Sequence, residues 1–181
     1  MRRMPLIALL GVLAVDACLF PSAWSEAEDG RQSVVGFWAG EESIIEVALV
    51  DDGLSARVFA LTNPVYRPDE QDGPAGAVRL DDRNEDEALR QRPVLGLELL
   101  SGYRYDDGRW QGKIYDPKTG NTYTSRMWVD SEGRLKMRGY VGVPMLGRTV
   151  EYVPVSNCPP QVPAMLALVD EIPPSAAGCA E

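Results

Sequence analysis

The sequence predicts an all-β protein, an eight-stranded antiparallel up-and-down barrel, from three observations. Apolar and polar residues alternate in short segments between residues 34 and 155, which is the period of a half-buried strand. Tight-turn signals separate these segments, such as the DDG sequences at residues 51–53 and 106–108. No stretch in this range repeats apolar residues at a helical period long enough to cover a sheet. A β-sandwich is the alternative, but it would need longer crossovers than the sequence contains.

Eight segments are predicted to form the strands in order. Closure into a barrel is favoured because it removes the two exposed edges of an open meander. Alternation predicts an inward face made of Val47, Leu49, Leu97, Leu99, Trp110, Ile114, Met127, Met137 and Val141. The predicted strands are VVGFWAG (34–40), SIIEVALV (43–50), LSARVFALTNP (54–64), PVLGLELLSGYRY (93–105), RWQGKIY (109–115), NTYTSRMWV (121–129), RLKMRGYVGV (134–143) and MLGRTVEYVPV (145–155).

One connection, residues 63–92 between strands 3 and 4, is much longer than the others. Eight acidic residues and three arginines lie between residues 69 and 90. A loop of this length is usually a functional lid or a disordered segment. The sequence NEDEALRQR predicts a short helix with Asn84 as its N-cap. A lid over one end of the barrel and a solvated insertion without a role are both open.

The N-terminus has the features of a secretory signal peptide, which predicts export to the periplasm. Arg2 and Arg3 precede an apolar run, and small residues follow, with cleavage expected near Ser25 or Ala27. We therefore expect residues 1–25 to be the signal and residues 34–155 to be the barrel. A lipid anchor at Cys18 is a less favoured alternative.

The charge of the chain predicts which partners it avoids. The net charge of −9 becomes −10 when residues 1–25 remove two arginines and one aspartate. No basic stripe is apparent along the sequence, so we expect no nucleic-acid binding. An anionic membrane surface is expected to repel the chain as well. The apolar run is confined to the signal, so the mature chain is expected to have no transmembrane segment.

Two cysteines remain after the signal, in a proline-rich tail at residues 156–181. In an oxidising compartment, Cys158 and Cys179 are expected to form one disulfide. The tail also contains a short predicted helix, PAMLALVDEI, which the disulfide would hold against the barrel wall.

The residue inventory argues against an enzyme. The chain has no histidine, which removes the usual general base and the usual zinc ligand. Nearly all carboxylates lie in turns or in the long loop, where solvation explains them, although a carboxylate-only hydrolase stays possible. We expect no catalytic residues, no metal and no cofactor.

The stretch KIYDPKTGNTY, residues 113–123, is rich in polar groups but is predicted to be a hairpin corner. Asp116 can bond the backbone ahead of it, Pro117 presets φ, and Gly120 can adopt a positive φ. Lys-Thr-Gly resembles one β-lactamase signature, but the Ser-x-x-Lys that accompanies it is missing. Tyr115 and Tyr123 are expected to flank this corner.

Two resemblances support the barrel. Gly36 and Trp38 in GFW resemble the Gly-x-Trp motif of lipocalins, which implies that Trp38 closes the base of the barrel and that Arg148 covers it by a cation–π contact. The blocks RPVLGL, IYDPKTGNTY and RGYVG…LGRT, within residues 35–152, resemble the family called domain of unknown function 2147. That resemblance implies a small exported bacterial protein with a lipocalin-like barrel.

The sequence therefore favours a periplasmic binding protein for a small apolar or amphipathic molecule, such as a fatty acid. The residues expected to contact this ligand are Trp38, Tyr115, Tyr123, Arg138 and Tyr140; Arg138 would pair with an anionic headgroup. The alternative is an envelope protein–protein interaction module with a solid barrel core and no ligand, because eight strands also permit a filled interior.

Overall fold

The computed structural model describes residues 30–51 and 53–179, and the expected signal peptide and Cys18 lie outside them. Eight strands account for about half of the chain between residues 36 and 154. They are β1 (Gly36–Ala39), β2 (Ser43–Val50), β3 (Gly53–Leu61), β4 (Leu100–Asp106), β5 (Arg109–Asp116), β6 (Asn121–Val129), β7 (Leu135–Tyr140) and β8 (Arg148–Pro154).

The strands form a single antiparallel sheet that curves into a nearly closed barrel, which confirms the predicted fold. Each strand pairs with its neighbour in sequence from β4 to β8, β8 pairs with β1, and β1 leads through β2 to β3. The seam lies between β3 and β4, where the segment before β4 supplies isolated contacts instead of a paired strand. There Val58 N–H donates to the Leu97 carbonyl, and Arg57 lies opposite Glu98.

Five of the predicted strands are shorter than expected, and β4, β7 and β8 lose the most residues. β4 begins at Leu100 instead of residue 93, because Gly96 adopts a φ of +82° and turns the chain out of line. β7 ends at Tyr140, since Gly142 has a φ of +73°, and β8 begins only at Arg148. Val141 therefore lies in the β7–β8 loop and is exposed, so its prediction as an inward residue was wrong; Leu49 pairs with the core residue Leu54 and faces inward, although it is 38% exposed near the end of β2.

The barrel interior is filled from its middle to one end. The fully buried core residues there include Trp110, Met127, Leu135, Met137 and Val47. Residues 31–35 lie across this end: Trp38 Nε1 donates to the Val34 carbonyl at 2.8 Å, and Trp110 Nε1 donates to the Arg31 carbonyl at 3.3 Å. We call it the closed end; the β2–β3, β4–β5 and β6–β7 turns lie around it.

The C-terminal tail packs on the outside of β1, β2 and β3. It contains the helix α1 (Val162–Leu166) and two 3-10 turns, Val155–Asn157 and Pro174–Cys179. Val162, Met165 and Leu166 of this tail share a buried cluster with Ala39, Ile44 and Ala60 of the sheet. The disulfide between Cys158 and Cys179 is present and closes the tail on itself. No helix among the described residues is both long and apolar enough to cross a membrane.

The long connection between β3 and β4 is held by a buried carboxylate. Asp81 is 0% exposed; its side chain accepts hydrogen bonds from Tyr115 Oη at 2.5 Å and from Asn84 Nδ2 and Arg92 Nη2, both at 2.8 Å. The expected short helix is a 3-10 turn, Glu87–Leu89, and its N-cap is Asp86. The prediction of Asn84 as the cap was wrong: Asp86 Oδ1 accepts the Ala88 N–H at 3.0 Å, whereas Asn84 Oδ1 accepts the Asp86 N–H at 2.9 Å, before the 3-10 turn begins.

Candidate ligand site at the barrel mouth

We call the end of the barrel opposite the closed end the mouth; an ion pair between Glu42 of the β1–β2 turn and Lys118 of the β5–β6 turn spans it, and it is open beside β8. Val150 of β8 pairs with Met137 of β7, and directly paired residues point to the same face of a sheet. Met137 is 1% exposed in the core, whereas Val150 is 43% exposed. An inward-facing valine with this exposure indicates that the interior beside β8 is accessible to solvent.

The opening exists because β1 is short. Only Trp38 and Ala39 pair with β8, opposite Pro154 and Val153, so β8 from residue 148 to 152 has no partner on that side. The ring of Tyr152 lies under the β1–β2 turn, where a Cβ on Gly40 would be only 2.7 Å from it. The edge of the mouth, which we call the rim, therefore extends less far along the barrel axis at β1–β2 than at β7–β8.

Partly buried residues of β5, β6 and β7 form the opposite wall of the mouth. Ile114 pairs with Tyr123, and both alternate with core residues, so they face inward. Gly139 of β7 lies between them, since a Cβ there would be 3.5 Å from Tyr123 Cβ and 3.9 Å from Ile114 Cγ2. The Tyr123 hydroxyl lies 3.3 Å from that of Thr119. Tyr123 is thus the one predicted ligand-contacting residue that the structure places at the mouth.

Tyr115 lies on the other face of β5 and contacts the long connection. It alternates with Ile114, and its hydroxyl is held by Asp81 and Asn84. The connection touches the same corner again, where Arg83 donates to the Lys118 carbonyl at 3.0 Å. These contacts place residues 81–84 against the side of the β5–β6 corner. We call residues 81–84 the brace, because they hold the connection against the barrel wall instead of covering its end as a lid.

The β5–β6 turn lies at the residues of the KIYDPKTGNTY stretch. Asp116 Oδ1 accepts the Lys118 N–H at 3.0 Å, and Pro117 occupies the position between them. Gly120 has a φ of +74°, and a Cβ there would lie 1.8 Å from the Arg83 carbonyl oxygen. Two separate constraints, the turn and the close approach of the brace, thus require glycine at this position.

Arg138 and Tyr140 face outward, away from the barrel interior. They alternate on β7 with Met137 and Gly139, which face the core and the mouth. Arg138 Nε donates to the Pro144 carbonyl at 2.8 Å, and its Nη1 donates to Thr149 Oγ1 at 2.9 Å. This arginine therefore holds the β7–β8 loop and does not reach a ligand at the mouth.

Trp38 and Arg148 lie at opposite ends of the barrel. Trp38 pairs with Pro154. Gly36, two residues before Trp38, has a φ of +139°. Arg148 pairs with Gly139, six residues away from Pro154 along β8, which corresponds to about 20 Å at ~3.3 Å per residue. Both residues are described by the structure, and the expected cation–π contact between them does not form. Arg148 instead lies exposed at the rim of the mouth, on the same side as Gly139.

A second opening lies at the seam between β3 and β4. It is a cleft of about 450 Å³, and Glu98 crosses it to accept hydrogen bonds from Ser55 Oγ at 2.9 Å and Ala56 N–H at 2.8 Å. The cleft reaches the core residues Leu54, Leu100 and Tyr103. In residues 30–51 and 53–179, no group of three or more Cys, Asp or Glu side chains is arranged to hold a metal ion.

The brace gives the protein a predicted sensitivity to alkaline pH. Burial, and then the hydrogen bond to Asp81, raise the pKa of Tyr115 to about 12 from 10.0. The folded state therefore holds this proton more tightly than the unfolded state, so the stabilisation is complete below pH 10 and is lost as the pH rises toward 12. Burial also raises the pKa of Tyr103 to about 12, which adds to the loss.

We expect the free energy of unfolding, measured in urea, to fall between pH 10 and pH 12, and to fall less steeply in a Tyr115→Phe variant. Absorbance titration of tyrosinate in the folded chain should show one late-titrating group fewer in this variant. An identical pH slope in the parent chain and in Tyr115→Phe would show that Tyr115 does not couple the brace to the barrel.

Sequence reasoning missed three features of this region. The exposure of Val150 depends on how far β1 extends along β8, which the local pattern does not specify. The partners of Asp81 are Arg92 and Tyr115, and Tyr115 lies 34 residues away, so only the folded chain brings them together. The row of Arg104, Gln111, Arg126 and Arg138 across β4 to β7 was missed as well, because these residues become neighbours only through strand pairing.

Comparisons with known proteins agree with the barrel. The sequence pattern of the family described as "Uncharacterized protein conserved in bacteria (DUF2147)" matches residues 27–153. The solved structure of protein HP1028 from the human pathogen Helicobacter pylori, described as belonging to the lipocalin family, is similar with a TM-score of 0.55 and 19% sequence identity. That match covers 82% of this chain and 98% of the other. No curated protein matches the sequence significantly. Since the family pattern covers more than half of the chain, the protein belongs to the DUF2147 family.

Proposed function

We propose that the protein binds a small apolar or amphipathic molecule at the mouth of its barrel. The observation that carries this proposal is the exposure of Val150, an inward-facing residue beside a buried core. A lipocalin-like barrel supports small-molecule binding in general, since eight strands leave room for one small ligand.

The filled lower barrel limits the size of the ligand. Met137, Met127 and Trp110 are fully buried below the mouth, so a ligand cannot descend to the closed end without displacing them. The site is therefore shallow, with Ile114, Tyr123 and Val150 as its apolar wall. A compact hydrophobe or the end of an acyl chain fits this depth.

The rim offers groups that suit a polar or anionic headgroup. Arg148 is exposed on the mouth side of β8 and forms no ion pair with any residue that the structure describes. A guanidinium at this position can bind a carboxylate by two parallel hydrogen bonds. An amphipathic carboxylate, of which a fatty acid is one example, would place its chain on Val150 and its headgroup on Arg148. Export to the periplasm, as the N-terminal sequence predicts, is part of this proposal.

A substitution that fills the mouth tests the proposal. Gly139→Leu introduces a side chain between Tyr123 and Ile114, where a Cβ makes only ordinary contacts, so the barrel is expected to fold. We expect the affinity for a dansylated fatty acid, measured by fluorescence titration, to fall at least about tenfold, which corresponds to ~1.4 kcal/mol. Native mass spectrometry of the purified parent chain should show a bound mass that disappears on denaturation.

Gly178→Leu is the matched control. It makes the same substitution in the C-terminal tail, where a Cβ meets nothing within 4 Å, and should leave probe binding unchanged. If neither variant weakens binding but Ser101→Trp in the cleft between β3 and β4 does, the ligand site lies at the seam. A parent chain that binds no probe and carries no extra mass would support the alternative of a filled barrel that acts as an interaction module.

A further inference from the structure

The outer wall of the barrel carries cations that no carboxylate neutralises. The described chain contains 16 lysines and arginines, and nine of them form ion pairs. Five of the other seven lie on the outward side of β4 to β7, and we call them the basic face: Arg104, Arg109, Lys113, Arg126 and Arg138. In an acidic protein, this is a marked separation of charge.

The register places these cations close together. Arg126 is directly opposite Arg138, a like-charge pairing that destabilises a sheet unless a counter-charge is present. Arg126 Nε is buried and has no hydrogen-bond partner among the described residues. On these four strands and β8, the nearest carboxylates, Asp106 and Glu151, lie in the row toward the closed end, where Asp106 is directly opposite Arg109 and Glu151 is paired with Lys136.

An exposed apolar loop adjoins the basic face. Residues 141–146 connect β7 to β8, and Met145 and Leu146 are 89% and 82% exposed, with Val141 and Val143 also exposed. Arg138 binds this loop directly, because its Nε donates to the Pro144 carbonyl and its Nη2 to the Met145 carbonyl at 3.2 Å. The apolar loop and the basic face therefore adjoin at Arg138.

We propose that this surface docks on a phospholipid bilayer whose headgroups carry negative charge. Lipid phosphates would neutralise the basic face, while Met145 and Leu146 would enter the boundary between headgroups and acyl chains. A soluble polyanion would use the cations but leave the apolar loop in water. A second copy of the chain would place one row of arginines against another. The bilayer alone satisfies both halves of the surface, and it lies outside the ligand site at the mouth.

Vesicle co-sedimentation of the full chain tests the proposal. Vesicles of phosphatidylglycerol and phosphatidylcholine should bind the parent chain more strongly than vesicles of phosphatidylcholine alone. Arg104→Gln with Lys113→Gln removes two exposed cations that have no partner among the described residues. This double variant should bind the anionic vesicles about 25-fold more weakly, at roughly fivefold per cation near a charged surface. Met145→Ser with Leu146→Ser should weaken binding by about tenfold through lost apolar burial.

Arg57→Gln with Arg67→Gln is the matched control, because it removes the same charge from exposed arginines that already pair with acids elsewhere. It should bind the vesicles as the parent chain does. The N-terminal apolar run is the same in every variant, so it cannot produce the differences. The proposal is overturned if the Arg104/Lys113 variant binds like the parent, or if the basic face binds inorganic polyphosphate while vesicles of either composition are ignored. A dimer that dissociates in the Met145/Leu146 variant would likewise overturn it.

Discussion

Replacement of Asp81 by alanine is expected to lower the free energy of unfolding by about 3 kcal/mol, because it removes the buried acceptor of three hydrogen bonds that contribute roughly 1 kcal/mol each. Asp81 is fully buried and accepts hydrogen bonds from Arg92, Asn84 and Tyr115. Without the carboxylate, the Arg92 guanidinium has no counter-charge, and its Nε already has no hydrogen-bond partner among the described residues. Urea unfolding at neutral pH measures the loss directly.

The same variant separates the brace from the barrel. The contacts of residues 81–84 with Tyr115 and Lys118 should be lost first, so protease cleavage between residues 63 and 92 should become fast under native conditions. Asp82→Ala is the control, because Asp82 is exposed and its only side-chain contact among the described residues is a 3.3 Å bond from Tyr66. Equal stability of the Asp81 and Asp82 variants would contradict a central role for the buried carboxylate.

The sequence was sufficient to predict the barrel because its strands are encoded locally. Alternation on β6, where Tyr123, Ser125 and Met127 face inward, can be read without knowing the neighbouring strands. The turn at Asp116–Gly120 is likewise local, since its residues satisfy one another. The errors arose where glycine redirects the chain. Gly96 and Gly142 both have positive φ, and each ends a stretch whose apolar pattern would otherwise continue as a strand.

The sites could not be predicted to the same degree because they depend on register. Arg104, Arg126 and Arg138 lie well apart in sequence and become neighbours only through the pairing of β4 to β7. The total charge concealed this face, because the acids that make the chain negative lie mainly on the long connection and in turns. Trp38 was expected to close the base of the barrel under an arginine; it is buried, and its hydrogen-bond partner is the Val34 carbonyl.

Arg138 and Tyr140 were expected to contact a ligand, although the alternation that predicts Met137 as an inward residue places both on the opposite face of β7. Period-2 alternation identifies which residues share a face of β7. It applies only as far as Tyr140, where the strand ends. The core position of Met137 confirms the predicted inward side of the strand, and Gly139 on the same face lies at the mouth. A polar residue near the end of a strand is therefore a weak guide to a binding site until a buried neighbour fixes its direction.

Removal of the disulfide is the other substitution with a large expected effect. Cys158 and Cys179 are 21 residues apart, and a cross-link that closes a loop of this length stabilises a protein by about 3 kcal/mol in the chain-entropy model. We expect Cys158→Ser with Cys179→Ala to lower the free energy of unfolding by that amount, measured in urea against the oxidised parent chain.

The place of the tail in the fold makes the consequence specific. The tail begins just beyond the residues that match the family, and it covers Ala39, Ile44 and Ala60 on the outer face of β1 to β3. In the variant without the disulfide, α1 should separate from this face before the barrel unfolds, so protease should remove the tail while the sheet remains intact. Met165→Ala with the disulfide present gives the matched comparison, since it weakens the same contact by about 2–5 kcal/mol without lengthening the free chain.

If the tail of the disulfide-free variant resists protease as the parent does, packing on the sheet holds it and the cross-link is dispensable. If the barrel unfolds together with the tail, the tail is part of the structure that keeps the four-residue strand β1 in place, and with it the low rim that opens the mouth.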